Sequence, residues 1–191
     1  MREKQITNRH IVTSILLLLS AAALIFFLYQ GLQTNPNKPH TALLNKTAMP
    51  FAADWLQGQE VLPHAADKAT FNLDDLKGRK VILNFWASWC YSCRQEAHDL
   101  QVFWDQVKDQ NVLVVGIAIQ DSVEASLTFA RKYGKTYILG LDTSNEIFIN
   151  YGVTGVPETF LIDEYGTVVH KEAGPVNTQM LHTLLAEKFK N

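Results

Sequence analysis

Two apolar runs restrict the fold of this chain more than any other feature: VILNFW, from Val81 to Trp86, and VLVVGIAI, from Val112 to Ile119. Both have strand length, are rich in β-branched residues and are apolar on both faces, so each needs helices covering it on both sides. Between them Cys93, Ala97, Leu100, Trp104 and Val107 recur at steps of four and three, the stripe of an amphipathic helix that starts near Cys90. This is a strand-helix-strand unit.

Downstream, Asp121 and Glu124 have the spacing of a capping box and open a second amphipathic stretch that reaches Tyr133. Tyr137 to Leu141 reads as a short strand and Ser144 to Tyr151 as a short helix. Thr159 to Ile162 and Thr167 to Glu172 flank Asp163-Glu164-Tyr165-Gly166, the mark of a hairpin. A last helix, Thr178 to Phe189, puts Leu181, Leu184, Leu185 and Phe189 on one face. The order predicts an α/β fold with a mixed sheet flanked by helices.

At 191 residues, 47% hydrophobic and 19% charged, the chain suits one globular domain and something more. The addition is at the N-terminus. Ile11 to Tyr29 is uncharged over nineteen residues, and a helix rising about 1.5 Å per residue nearly matches a hydrocarbon core of roughly 30 Å over that length. A cleaved signal peptide is the rival, with Ala21-Ala22-Ala23 as a small-residue site after a ten-residue apolar run. Cleavage there would leave LIFFLY as an exposed apolar terminus, which favours a retained anchor.

Arg2, Lys4 and Arg9 precede the span and the single Lys38 follows it closely, so the N-terminus is expected in the cytoplasm and the domain outside. The expected organisation is residues 1–10 cytoplasmic, 11–29 a transmembrane anchor, 30–42 a linker with two prolines and two asparagines, and 43–191 the outer domain. From Gly31 onward fourteen Lys and Arg face eighteen Asp and Glu, a balance that argues against a nucleic-acid partner.

The only two cysteines, Cys90 and Cys93, stand in WASWCYSC. A tetrahedral zinc site needs four ligands, and no second CxxC or HxxxH is present. Covalent haem attachment needs His where Arg94 stands. Copper can use two thiolates and a histidine, but His98, five residues beyond Cys93, does not share its helix face. A structural disulfide closing so small a loop removes little entropy from the unfolded chain. A redox pair remains. Cys90, at a helix N-terminus where free N–H groups and the dipole favour a thiolate, is the expected nucleophile. Cys93, one turn in and on the apolar stripe, is the expected resolving thiol.

WASWCYSC followed by GVPETFLID resembles the signature pair of the thioredoxin fold, and within it the chain is similar to the membrane-anchored TlpA, ResA and CcmG (DsbE) group. The likeness runs from about Leu43 to the C-terminus, through ALLNKTAMPF, NFWASWC, CRQEAH and YGVTGVPETFLID. It implies a thioredoxin-like domain that reduces protein disulfides on the periplasmic face of the inner membrane, in cytochrome c maturation. The implied client is apocytochrome c with its CxxCH disulfide, a membrane thiol transporter would supply the electrons, and neither metal nor other cofactor is implied. Pro157 would be the cis-proline beside the sulfurs, Val156 would offer backbone groups to an extended client, and Trp89 and Trp86 would be the aromatics beside the motif, with a plain core role as the equal alternative for Trp86. Glu96 and Glu158 match the acidic residues around the thiols in CcmG-like proteins. Their alternatives are a solvated helix residue for Glu96 and a strand-end charge for Glu158. Tyr91-Ser92 replaces a pair that often contains proline, and Asn84 stands where thioredoxin has a buried aspartate, with Glu158 as the candidate replacement base. A carboxylate at Glu158 is also expected to oppose the Cys90 thiolate. Two other functions fit the same residues: a TlpA-like reductase of copper-site cysteines in oxidase assembly, and a copper chaperone with Cys90 and Cys93 as ligands.

Overall fold

The computed structural model describes the backbone of residues 2–33 and 42–189, with the side chains of 12–30 and 42–189. These are two separate units. The first is helix α1, Arg2–Gln33. Its stretch Val12–Gln30 has a mean hydropathy of 2.4 and is long and apolar enough to cross a membrane. All of its described side chains are exposed, which suits an apolar surround rather than water. The helix runs past the expected 11–29 at both ends, so residues 30–33 of the expected linker are helical. Linker residues 34–41 and the side chains of Arg2, Lys4 and Arg9 lie outside the described residues.

The second unit is built on strands β1 (Ala52–Gln57), β2 (Thr70–Asn72), β3 (Lys80–Trp86), β4 (Val112–Ile119), β5 (Ile138–Asp142), β6 (Glu158–Ile162) and β7 (Val168–Ala173). They form one mixed sheet in the order β2-β1-β5-β4-β3-β6-β7. β3, β4 and β5 are parallel, and every residue of β4 is buried, as apolar strands in the middle of a sheet require. The other pairs are antiparallel.

The helices are α2 (Tyr91–Val107), α3 (Val123–Lys132), α4 (Glu146–Asn150) and α5 (Thr178–Lys188). The α2 stripe is buried as its spacing predicts, and Glu96 and Phe103 are buried with it. Helix α3 is capped by Ser122, whose hydroxyl accepts from Ala125 N at 3.2 Å, and not by the expected Asp121. β1 and β2 were not legible in the sequence. They extend the sheet beyond β5, and Gly140 admits them: a Cβ there would lie 2.8 Å from Ala53 Cβ and from Phe71.

In β3, alternation puts Asn84 and Trp86 on one face and Phe85 on the other. Asn84 pairs with Gly116 in β4 and with Thr159 in β6. Gly116 is small for a reason: a Cβ would meet Leu139 Cδ2 at 2.7 Å and Trp86 Nε1 at 2.9 Å, so the indole packs on the bare backbone of β4.

Candidate active site

Where β3 ends, Ala87, Ser88 and Trp89 turn the chain, and Cys90 becomes the N-cap of α2. Its sulfur accepts from the Cys93 N–H at 3.0 Å, one of the unpaired donors of the first helical turn. Cys90 and Cys93 form a disulfide with Cα atoms 5.3 Å apart. Cys90 is 5% exposed and Cys93 1%, so the outer sulfur is the one a partner can reach. The Val156 carbonyl oxygen lies 3.5 Å from Cys90 Sγ, and the Val156–Pro157 peptide bond is cis. Trp89 and Tyr91, 55% and 72% exposed, flank this end of the sheet.

Asp121, expected as a helix cap, and Gln120, which carried no expectation, hold the turn in place. The Asp121 carboxylate accepts from Ser88 N at 2.7 Å, Ser88 Oγ at 2.8 Å and Ser122 N at 2.9 Å. Trp89 Nε1 donates to the Gln120 carbonyl at 3.1 Å, and Gln120 itself has φ +49°, a strained conformation for a residue with a side chain. A signal existed: both follow directly on β4, at the carboxyl end of parallel strands, where sites on such sheets gather.

The two carboxylates have different surroundings. Glu96, one turn beyond Cys93, is 1% exposed and not solvated. Its Oε1 accepts from Asn84 Nδ2 at 2.9 Å and its Oε2 from Val176 N at 3.1 Å, while Asn84 Nδ2 also donates to Thr159 Oγ1 at 3.1 Å. Burial pushes the Glu96 carboxyl up from 4.5 to about 7, against these hydrogen bonds and the charge of Lys135.

Glu158 faces the other side of the sheet. It pairs with Phe85, while its neighbour Thr159 pairs with Asn84. Its Oε1 accepts from Thr154 N and Oγ1 at 3.1 and 2.8 Å, and its Oε2 lies 2.7 Å from Lys171 Nζ, which also donates to the Gly152 carbonyl at 3.1 Å. The acid joined to Asn84 is therefore Glu96, and the expected substitution of Glu158 for the missing aspartate is corrected. His98 is exposed on α2, whereas Cys93 is buried. Among the described residues no three His, Cys, Asp or Glu side chains converge as a metal site would require. Lys135, at the loop before β5, was missed altogether: it is buried, with Nζ 3.9 Å from the centre of the Trp86 ring.

The AhpC/TSA family matches residues 25–171. The thiol:disulfide interchange protein DsbE of Allochromatium vinosum is 36% identical over 164 residues, 85% of this chain and 82% of that one. The thiol-disulfide oxidoreductase ResA of Bacillus thuringiensis is 30% identical over 178 residues, 93% of this chain and 95% of that one. Among solved structures, a candidate thiol:disulfide interchange protein DsbE from Chlorobium tepidum superposes with a TM-score of 0.66 at 23% identity, over 77% of this chain and 98% of that one. At that identity the likeness speaks for the thioredoxin-like fold alone.

Proposed function

Since this chain belongs to the AhpC/TSA family and is a thiol:disulfide oxidoreductase of the DsbE and ResA type, we propose that it is a membrane-anchored reductant. It acts on protein disulfides at the periplasmic face of the inner membrane, with the CxxCH disulfide of apocytochrome c as client and a membrane thiol transporter as electron donor. The observation that carries the exchange chemistry is the reachable Cys90 at the N-cap of α2 above the buried Cys93, with Glu96, a buried carboxyl, one turn further along the helix. Such a group can take the proton of the resolving thiol and return it within the physiological range.

The cycle starts from the dithiol. Cys90, favoured as thiolate by its N-cap position, attacks one client sulfur, and the other leaves as a thiolate that takes up a proton. An extended client strand, hydrogen-bonded to the backbone of Val156 beside Pro157 and packed on Trp89, keeps the sulfurs in line. Cys93 then passes its proton to Glu96 and attacks Cys90 Sγ, which closes the disulfide seen here and releases the second client thiolate, protonated in turn. Two electrons and two protons pass to the client. Glu158 and its partner Lys171 hold the Thr154 segment that leads into Pro157.

The test is the reduction potential of the pair in a glutathione or dithiothreitol buffer series. A value near that of thioredoxin, about −270 mV, is expected; one near about −120 mV, like DsbA, would make the protein an oxidant and overturn the reading.

A further inference from the structure

Lys135 is a buried cation that the cycle above leaves unused, and it sits in an unusual box. Its ammonium is 3.9 Å from the centre of the Trp86 ring, 5.0 Å from that of Phe129 and 5.5 Å from that of Tyr137. Three rings at this range favour a cation over an apolar side chain. The backbone holds it there from three elements. Lys135 N donates to the Ala130 carbonyl of α3 at 3.0 Å, Gln57 Nε2 of β1 donates to the Lys135 carbonyl at 2.8 Å, and Gln101 of α2 binds Thr136 through both its N–H and its hydroxyl, at 2.9 and 2.8 Å.

Trp86, which the ammonium covers, is two residues from Asn84 on the same face of β3, and Asn84 binds Glu96. Lys135 and Glu96 therefore lie in one layer between the sheet and its helices. Each is the counter-charge of the other: burial lowers Lys135 to about 7 while Glu96 opposes that shift, and Lys135 in turn opposes the raising of Glu96. Among the described residues, the groups that bear on Glu96 are Asn84 from β3, the Val176 N–H ahead of α5, and Lys135 and Tyr137 from the β5 side, with Thr159 of β6 reached through Asn84 and Cys93 one turn earlier on the same buried helix face. Of these only Lys135 brings a positive charge. The pair Glu158 and Lys171 lies on the opposite face of the sheet.

We propose that Lys135 is a positioning residue of the redox reaction, the buried counter-charge that keeps the Glu96 carboxyl ionisable beneath the disulfide. The proposal rests on the reading of Glu96 as proton acceptor for Cys93 and adds what sets its working range.

The experiment titrates Glu96 by carbon-13 carboxyl NMR in the full-length, disulfide form, where neither client nor thiol takes part. Lys135→Met, close in volume and uncharged, should raise the Glu96 midpoint, whereas Lys135→Arg should hold it near the native value. The reduced Lys135→Met protein should show its resolving step moved to higher pH by the same interval. An unchanged Glu96 midpoint in Lys135→Met overturns the proposal. Should that variant not fold, the native protein still decides: the Lys135 Nζ nitrogen shift should inflect at the Glu96 midpoint, and Glu96→Gln should lower the Lys135 midpoint. A Lys135 signal indifferent to Glu96 also overturns it. If instead Glu96→Gln left the resolving rate unchanged while the NMR coupling was present, the proton-acceptor reading would fall and the charge coupling would stand.

Discussion

Glu96 and Glu158 are both buried carboxylates near the cysteine pair, and their partners give them different consequences. Burial raises the Glu96 midpoint, and two neutral donors and the Lys135 charge only partly offset it, so in the folded protein it stands at about 7 rather than 4.5. The folded chain thus binds more protons than the unfolded one between those values, and stability must fall as pH rises through that window. A difference of this size is worth on the order of 3 kcal/mol. Denaturant unfolding of the disulfide form between pH 4.5 and 7 should show the loss, and Glu96→Gln should flatten it. Glu158 has Lys171 at 2.7 Å. The expectation that it opposes the Cys90 thiolate overlooked this ammonium, which cancels most of its field. Removing one member of a buried pair leaves the other uncompensated, so Glu158→Gln should cost about 3 kcal/mol. The double variant Glu158→Gln/Lys171→Met should recover part of that in a thermal melt. For the cysteines the division follows exposure. Cys93→Ser keeps the reachable nucleophile and loses its resolving partner, so mixed disulfides with clients should accumulate on a non-reducing gel, and Cys90→Ser should trap far fewer. Equal trapping would remove the assignment.

The β3-α2-β4 unit was legible because its signals are strong and local: two strands apolar on both faces, and a helix stripe whose members are all buried. β1 and β2 were not legible. Ala52–Gln57 alternates weakly and is largely half-buried, and three-residue β2 is too short for any period; the two form because Gly140 leaves room for Ala53 and Phe71. Lys135 escaped, and the burial of Glu96 stayed open, for a related reason. A charge in a helix or a loop reads as solvated, and only the packing of elements distant in sequence reveals that it is enclosed. Asp121 was read as a helix cap, since the spacing to Glu124 fits one, yet Ser122 takes that part and frees Asp121 to bind Ser88. The loop between β4 and α3 thereby holds the active-site turn, an element-level link between Trp89 and the rest of the sheet. Asp121→Ala should release that turn. Reduction of a protein client, which needs Trp89 and Cys90 in fixed relation, should slow by about tenfold, while exchange with dithiothreitol changes little. Equal effects on both rates would show that Asp121 only stabilises the fold.

For the whole molecule the question is what a helix of thirty-two residues with no charged residue between Val12 and Gln30 does beside a domain whose chemistry is complete without it. In water the exposed leucines and phenylalanines of this stretch would be a large unpartnered apolar surface, and the hydrocarbon of a bilayer removes that cost. On the proposed anchoring, confinement follows. A reductant held at a membrane surface meets clients and an electron donor of the same surface at a far higher effective concentration than a diffusing one. Orientation rests on Arg2, Lys4 and Arg9 ahead of the span, three basic residues against the single Glu3, which favour the cytoplasm for the N-terminus and the opposite side for the domain. A reporter that works only outside the cytoplasm, fused after Asn191, should therefore be active, and the full-length chain should stay with the membrane fraction through a carbonate wash. The two readouts separate the alternatives. An active reporter on a chain released by the wash would mean that the apolar segment is cleaved as a signal. An inactive reporter on a membrane-bound chain would put the cysteine pair in the reducing cytoplasm, where a dithiol needs no membrane transporter to recharge it and the periplasmic part of the proposal would be lost.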